Sequence, residues 1–169
     1  MNKTVIIQGS SRSNGDTRMI IDYLNNDYSI DIIDLKLKNI GHFDYDFKNS
    51  KDDFIPMMEE VISKYDTIVF ATPVYWYTMS GILKVFFDRI SDLLKTDKDL
   101  GRQLRGKNMA MISCNNSPTL VNGFEMPFRE SAKYLGMPYL GSIHTWVTND
   151  KITDDVKLII DGFRNKNLS

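Results

Sequence analysis

Five short apolar runs, each separated from the next by a stretch long enough for a helix, constrain this chain more than any other feature. Thr4 to Gln8, Ile30 to Leu35, Thr67 to Ala71, Met109 to Ser113 and Leu140 to Val147 all have strand composition. Strands that alternate with helices pair in parallel through right-handed crossovers, so the spacing predicts an α/β chain with a five-stranded parallel sheet. The uninterrupted Ile68 to Ala71 suits a central strand covered on both faces, whereas Asp31 and Asp34 interrupt Ile30 to Leu35 as an edge strand tolerates.

Helical periodicity is clear between these runs. Met58, Val61, Ile62 and Tyr65 fall at i, i+3, i+4 and i+7, as do Val156, Ile159, Ile160 and Phe163, and Phe124, Phe128, Ala132 and Leu135 make a third stripe. Pro56 and Pro127 fit first turns, Thr153, Asp154 and Asp155 precede the last stripe, and Gly136 ends the stripe before it. The helix expected from Ser80 to Leu94 is apolar on two sides, with Ile82, Val85, Phe86 and Leu93 as one set and Leu83, Phe87, Ile90 and Leu94 as the other. Either a subunit interface in a homodimer or a wide core contact covers the excess. Lys36 to Asp52 reads as a long irregular loop whose Phe43, Tyr45 and Phe47 either cover a site or tuck onto the surface.

With 169 residues, 42% of them hydrophobic, and no repeat or linker, residues 1–169 read as one domain. Roughly 70% of the unfolded surface is buried at this length, enough for a core without disulfide or metal support. Cys114 is the lone cysteine and only His42 and His144 join it, which leaves no disulfide and no zinc spacing, and predicts the cytoplasm. The opening residues lack the apolar stretch of a signal peptide. A net charge of -1 offers no basic stripe to a nucleic acid and no polybasic patch to a membrane surface. Pro73, Ser80, Gly81 and Lys84 rule out a membrane span over residues 68–87. His144 reads as a structural histidine and His42 as a solvent-exposed one.

The sharpest chemical signal is GSSRSNGDT, Gly9 to Thr17, between the first strand and a helix. Amides at a helix N-terminus lack partners and face an anion with a favourable dipole, while Ser10, Ser13 and Thr17 offer hydroxyls and Arg12 a charge. Ser, Asn and Gly are also ordinary turn formers, so a mere connector is the alternative. The spacing is not that of a dinucleotide fold, G-x-G-x-x-G, nor does it end in Gly-Lys-Ser/Thr, so a single phosphate group fits it better.

A second block, ATPVYWYTMSGILKVFFDR from Ala71 to Arg89, follows the third strand. S-x-R-x-x-G-x-T after the first strand, together with this block, resembles the flavodoxin-like NAD(P)H-dependent FMN and quinone reductases. The resemblance implies a doubly wound sheet of order 2-1-3-4-5 with helices on both faces, and FMN held by Ser10, Arg12, Ser13, Asn14, Gly15, Asp16 and Thr17. It implies further flavin contacts at Pro73, Val74, Tyr75, Trp76 and Tyr77, and at Ser113, Asn115 and Asn116 after the fourth strand. NADH or NADPH would donate hydride to flavin N5, and a quinone, flavin or nitroaromatic would accept the electrons. No side chain need act as acid or base, because the flavin carries the chemistry.

Three departures from the family pattern stand out, the first being that residues 113–117 lack the glycines many relatives carry after the fourth strand. Asp16 occupies a place where asparagine is common, and a carboxylate beside a phosphate predicts a side chain turned away to cap the helix. The loop at Ile40 to Phe47 lacks the cysteines of iron–sulfur relatives. The rivals are a flavodoxin-type electron carrier, against which the near-neutral charge argues, and a regulatory or cofactor-free relative. A low-molecular-weight phosphatase would need a cysteine in the first loop, and a receiver domain an acidic pair where Gln8 and Gly9 stand.

Overall fold

The computed structural model describes residues 3–26 and 30–168. Strand β1 (Thr4–Gln8) leads to helix α1 (Asp16–Leu24), β2 (Asp31–Asp34), a short 3₁₀ turn and α2 (Phe54–Lys64). Then follow β3 (Thr67–Pro73), α3 (Gly81–Lys95), α4 (Lys98–Arg102), β4 (Asn108–Asn115), α5 (Met126–Leu135), β5 (Tyr139–Trp146) and α6 (Asp154–Asn167). The strands form one parallel sheet in the order β2-β1-β3-β4-β5, the doubly wound order implied by the resemblance. Short β2 is the edge strand and fully buried β3 the central one, as their sequences predict.

Alternation along the strands divides the core in two. Val5, Ile7, Ile68, Phe70, Met109 and Met111 face α2, α3 and α5, where Phe54, Phe86 and Phe128 fill the layer. Ile6, Val69, Ala71, Ala110 and Ile112 face α1 and α6 through Ile20, Leu24, Val156 and Ile160. Helices therefore cover both faces, because neighbouring side chains on a buried strand point to opposite sides.

Two local expectations are revised. The core stripe of α3 is Leu83, Phe86, Ile90 and Leu93, drawn from both of the sets read in the sequence. Ile82 and Phe87 pack beside it half-buried, so the wide core contact absorbs much of the apolar excess. Asp16 is the first helical residue of α1, not its cap: Gly15 stands at the cap position and no side chain bonds the helix start. Within the loop ahead of α2, Phe43 packs edge-on against Tyr45 and Phe47.

That loop is fastened by Arg89 of α3, which is almost wholly buried. Its guanidinium donates to the Gly41 and Asn49 carbonyls and pairs with Asp52 and Asp92. Burial alone would raise the Asp52 carboxyl, yet the Arg89 hydrogen bonds and the amides of Phe54 and Gly41 hold it below the usual carboxylate value.

Candidate functional site

The site is built at the carboxyl ends of β1, β3 and β4, where β1 and β3 send their helices to opposite faces. The Gly9 amide donates to the Ala71 carbonyl at 2.8 Å, carrying the pairing one residue past β1. A Cβ on Gly9 would lie 2.6 Å from that of Leu83, so only glycine lets α3 approach this closely. Ser80 donates its hydroxyl to the Gly9 carbonyl and accepts from the Leu83 amide as the cap of α3. One side chain thereby joins α3 to the loop after β1.

Beneath that loop lies Gln8, fully buried. Its Nε2 donates to the Ser13 carbonyl at 3.0 Å and to the Arg12 carbonyl at 3.4 Å, which fixes the loop from inside, while Oε1 is buried without a partner. Ser10 accepts from the Arg12 amide at 3.2 Å. The Arg12 side chain lies over Gly15, where an added Cβ would meet Arg12 Cβ and Nε at 3.3 Å. The first-turn amides of α1 are left without a side-chain cap, and the nearly buried Thr17 stands among them.

The loop after β3 is a tight hairpin. Tyr75 and Thr78 exchange backbone hydrogen bonds of 2.9 and 3.1 Å around Trp76 and Tyr77, whose φ angles are 47° and 65°. Left-handed backbone at both central positions is the type I′ turn, which favours Asn and Gly and strains aromatic residues. Both rings point outward, 92% exposed at Trp76 and 70% at Tyr77. The Tyr75 hydroxyl lies 2.6 Å from the Ser11 hydroxyl and ties this turn to the first loop.

After β4, the Val74 amide donates to the Cys114 carbonyl and Asn115 accepts from the Ser117 amide. His144 of β5 donates from Nε2 to the Ser117 carbonyl, which leaves Nδ1 to accept from the Ser113 hydroxyl, each at 2.9 Å. Burial pushes the imidazole below its ordinary pKa, with the Ser117 hydrogen bond opposing. His144 is the structural residue its place in the fifth strand predicts. Burial pushes the Cys114 thiol up to about 12, the Thr145 hydrogen bond opposing and the Asp16 carboxylate adding to the rise. A thiol so protonated is no nucleophile.

These loops enclose a cavity of about 260 Å³. The first loop contributes Ser10, Arg12, Gly15, Asp16 and Thr17, the second Pro73, Val74 and Tyr75, and the third Cys114, Asn115 and Asn116. A neighbouring cavity of about 410 Å³ shares Val74 and Asn115 and adds Trp76, Tyr77, Ser117, Thr119 and Val121. Residues 2–151 match the family model described as NADPH-dependent FMN reductase. The chain belongs to this FMN reductase family.

As a member, it is an NAD(P)H-dependent flavin oxidoreductase whose cofactor is FMN. It is 26% identical over 151 residues to the Bacillus subtilis (strain 168) protein YwqN, named for NAD(P)H-dependent, FMN-containing oxidoreduction, with 83% of each chain covered. Among solved structures, the Trp repressor binding protein of Bacillus subtilis superposes with a TM-score of 0.76 at 21% identity, covering 98% of this chain and 97% of that one. An NADPH-quinone reductase from P. pentosaceus gives 0.73 at 14% identity over 99% of both. At these identities the likeness concerns the fold.

In this FMN reductase, ten of the fifteen residues singled out by sequence line the first cavity. Trp76 and Tyr77 line the second instead. Ser13 meets Gln8 through its carbonyl, exposed Asn14 lies outside both linings, and Ser113 is buried against His144. Sequence reasoning missed Gln8, Ser80 and the Ser11–Tyr75 contact. A polar residue closing an otherwise apolar strand was the one available signal, at Gln8.

Proposed function

We propose that this FMN reductase passes electrons from NADH or NADPH to a small acceptor such as a quinone, flavin or nitroaromatic, with the flavin phosphate at the N-terminus of α1. The observation that carries this reading is the single cavity shared by the loops after β1, β3 and β4. Uncapped amides at a helix start, the hydroxyls of Ser10 and Thr17 and the Arg12 guanidinium are the donors a phosphate monoester needs, and the glycine at position 15 keeps the cradle open. Ser13, Asn14 and Asp16 complete the loop around it.

When bound, FMN supplies the hydride and electron chemistry. The chain's own tasks are to bind, orient and exclude water. Pro73, Val74 and Tyr75 form the apolar wall beside the cradle, and Asn115, whose Oδ1 accepts from the Ser117 amide, offers the polar edge together with Asn116. Trp76 and Tyr77 border the adjoining cavity, which suits a planar acceptor or the nicotinamide. The half-buried Val85 and Leu94 on the flanks of α3 support a homodimer formed through this helix. A single buried thiol suits the cytoplasm.

Denaturing the purified protein, or the protein first soaked in FMN, should release a yellow FMN-sized chromophore. The protein with FMN should oxidise NAD(P)H in the steady state when given a quinone. Failure to take up FMN overturns the site; uptake without turnover favours the one-electron carrier.

A further inference from the structure

We propose that Asp16 makes the phosphate seat a loose one, so that FMN exchanges with solution instead of staying resident. This deepens the preceding reading and rests on its placement of the flavin phosphate at α1.

Asp16 opens α1 and lines the same cavity as Arg12. Its carboxylate does not turn away to cap the helix, and its charge is felt at Cys114 on the cavity's other wall. Among the described residues neither Arg12 nor Asp16 has an ion-pair partner, and the two are not paired with each other, whereas Arg18 one turn on is paired with Asp22. The side-chain charges of the seat therefore cancel, one positive against one negative. A phosphate monoester carries about -1.5 to -2 near neutrality. Between the exposed Arg12 and the half-buried Asp16, its repulsion from one carboxylate is comparable to its attraction to one guanidinium. Retention is left to neutral donors, the amides of the first turn and the hydroxyls of Ser10 and Thr17.

A second observation points the same way. The loop over residues 38–53 is held against α3 by Arg89, and none of Phe43, Tyr45 and Phe47 lines the cavity.

The test titrates the full-length protein with FMN and with riboflavin, which lacks the phosphate, and reads quenching of flavin fluorescence. Asp16→Asn should lower the FMN Kd by about tenfold or more and slow FMN dissociation in proportion. Riboflavin affinity should stay within about twofold, and Asp16→Glu should behave as wild type. The FMN Kd should also become more salt-dependent in Asp16→Asn, since the seat gains a net positive charge. An aspartate at a helix start stabilises that helix, so the same variant should melt slightly lower without ligand, a change opposite in sign to the tighter binding. An FMN Kd within about twofold of wild type, or an equal tightening of riboflavin, overturns the proposal. Arg12→Gln tests the underlying placement separately. It should weaken FMN and spare riboflavin, and an unchanged FMN affinity there would overturn the phosphate seat itself.

Discussion

Gln8 shows how one buried side chain organises a loop that lines the cavity. Its amide reaches the Arg12 and Ser13 carbonyls and has no second function within the described residues. Gln8→Leu removes two hydrogen bonds of about 1 kcal/mol each but also the orphan Oε1, so global stability should change little. FMN affinity should fall by about tenfold, since the Arg12–Ser13 turn at the cavity loses its support. Equilibrium urea unfolding and flavin titration separate the two effects, and equal losses in both would contradict this role. His144 carries the pH dependence. Its folded pKa lies below the unfolded value, so its contribution is complete above pH 6.5 and is lost as pH falls toward the folded pKa. Melting temperature should therefore decline between about pH 7 and 5, and His144→Gln should flatten that decline. That the loop after β1 opens onto the cavity was legible in the sequence, because a helix start presents its amides through neighbouring residues. Gln8 was not, because a glutamine at a strand end states nothing about which way the following turn folds over it.

Two elements carry strain or charge that local sequence rules do not anticipate. The turn over Trp76 and Tyr77 places aromatic residues where glycine or asparagine is at ease. Tyr77→Gly should stabilise the fold by about 1 kcal/mol, a rise of about 2–4 °C in Tm for a chain of this size. It should also raise KM for an aromatic acceptor, because the ring borders the second cavity. A lower Tm would show that the turn is not strained. The segment ahead of α2 depends on Arg89, and Arg89→Met leaves Asp52 and Asp92 buried without their cation. Its cost should be about 3–5 kcal/mol by urea unfolding, with early proteolysis between residues 38 and 53. Sequence spacing revealed that α3 is apolar on two sides, but not which residues face the sheet. That choice depends on the approach angle, which the contact between Gly9 and Leu83 sets. The outward turn at residues 76–77 was illegible for the opposite reason, since propensity argues against it.

At the scale of the molecule, the parallel sheet was legible because strands alternate with helices, whereas the strand order came from the family resemblance carried by the motifs after β1 and β3. The cavity follows from winding: α1 leaves β1 toward one face, α3 leaves β3 toward the other, and the loops diverge around a crevice. FMN at a hundredfold excess over its Kd should stabilise the fold by about 2.7 kcal/mol, a shift of about 5–10 °C. Riboflavin at the same free concentration should give a smaller shift, and equal shifts would place the phosphate elsewhere. The Ser80 hydroxyl bonds a helix start and a loop carbonyl at once. A rigid displacement of that helix strains the bond to the Gly9 carbonyl, so the helix and the loop after β1 behave as a single lever. In the proposed dimer, whatever leans on the outer flank of that helix would be felt at the proposed flavin seat, linking assembly to cofactor retention without any hinge between them.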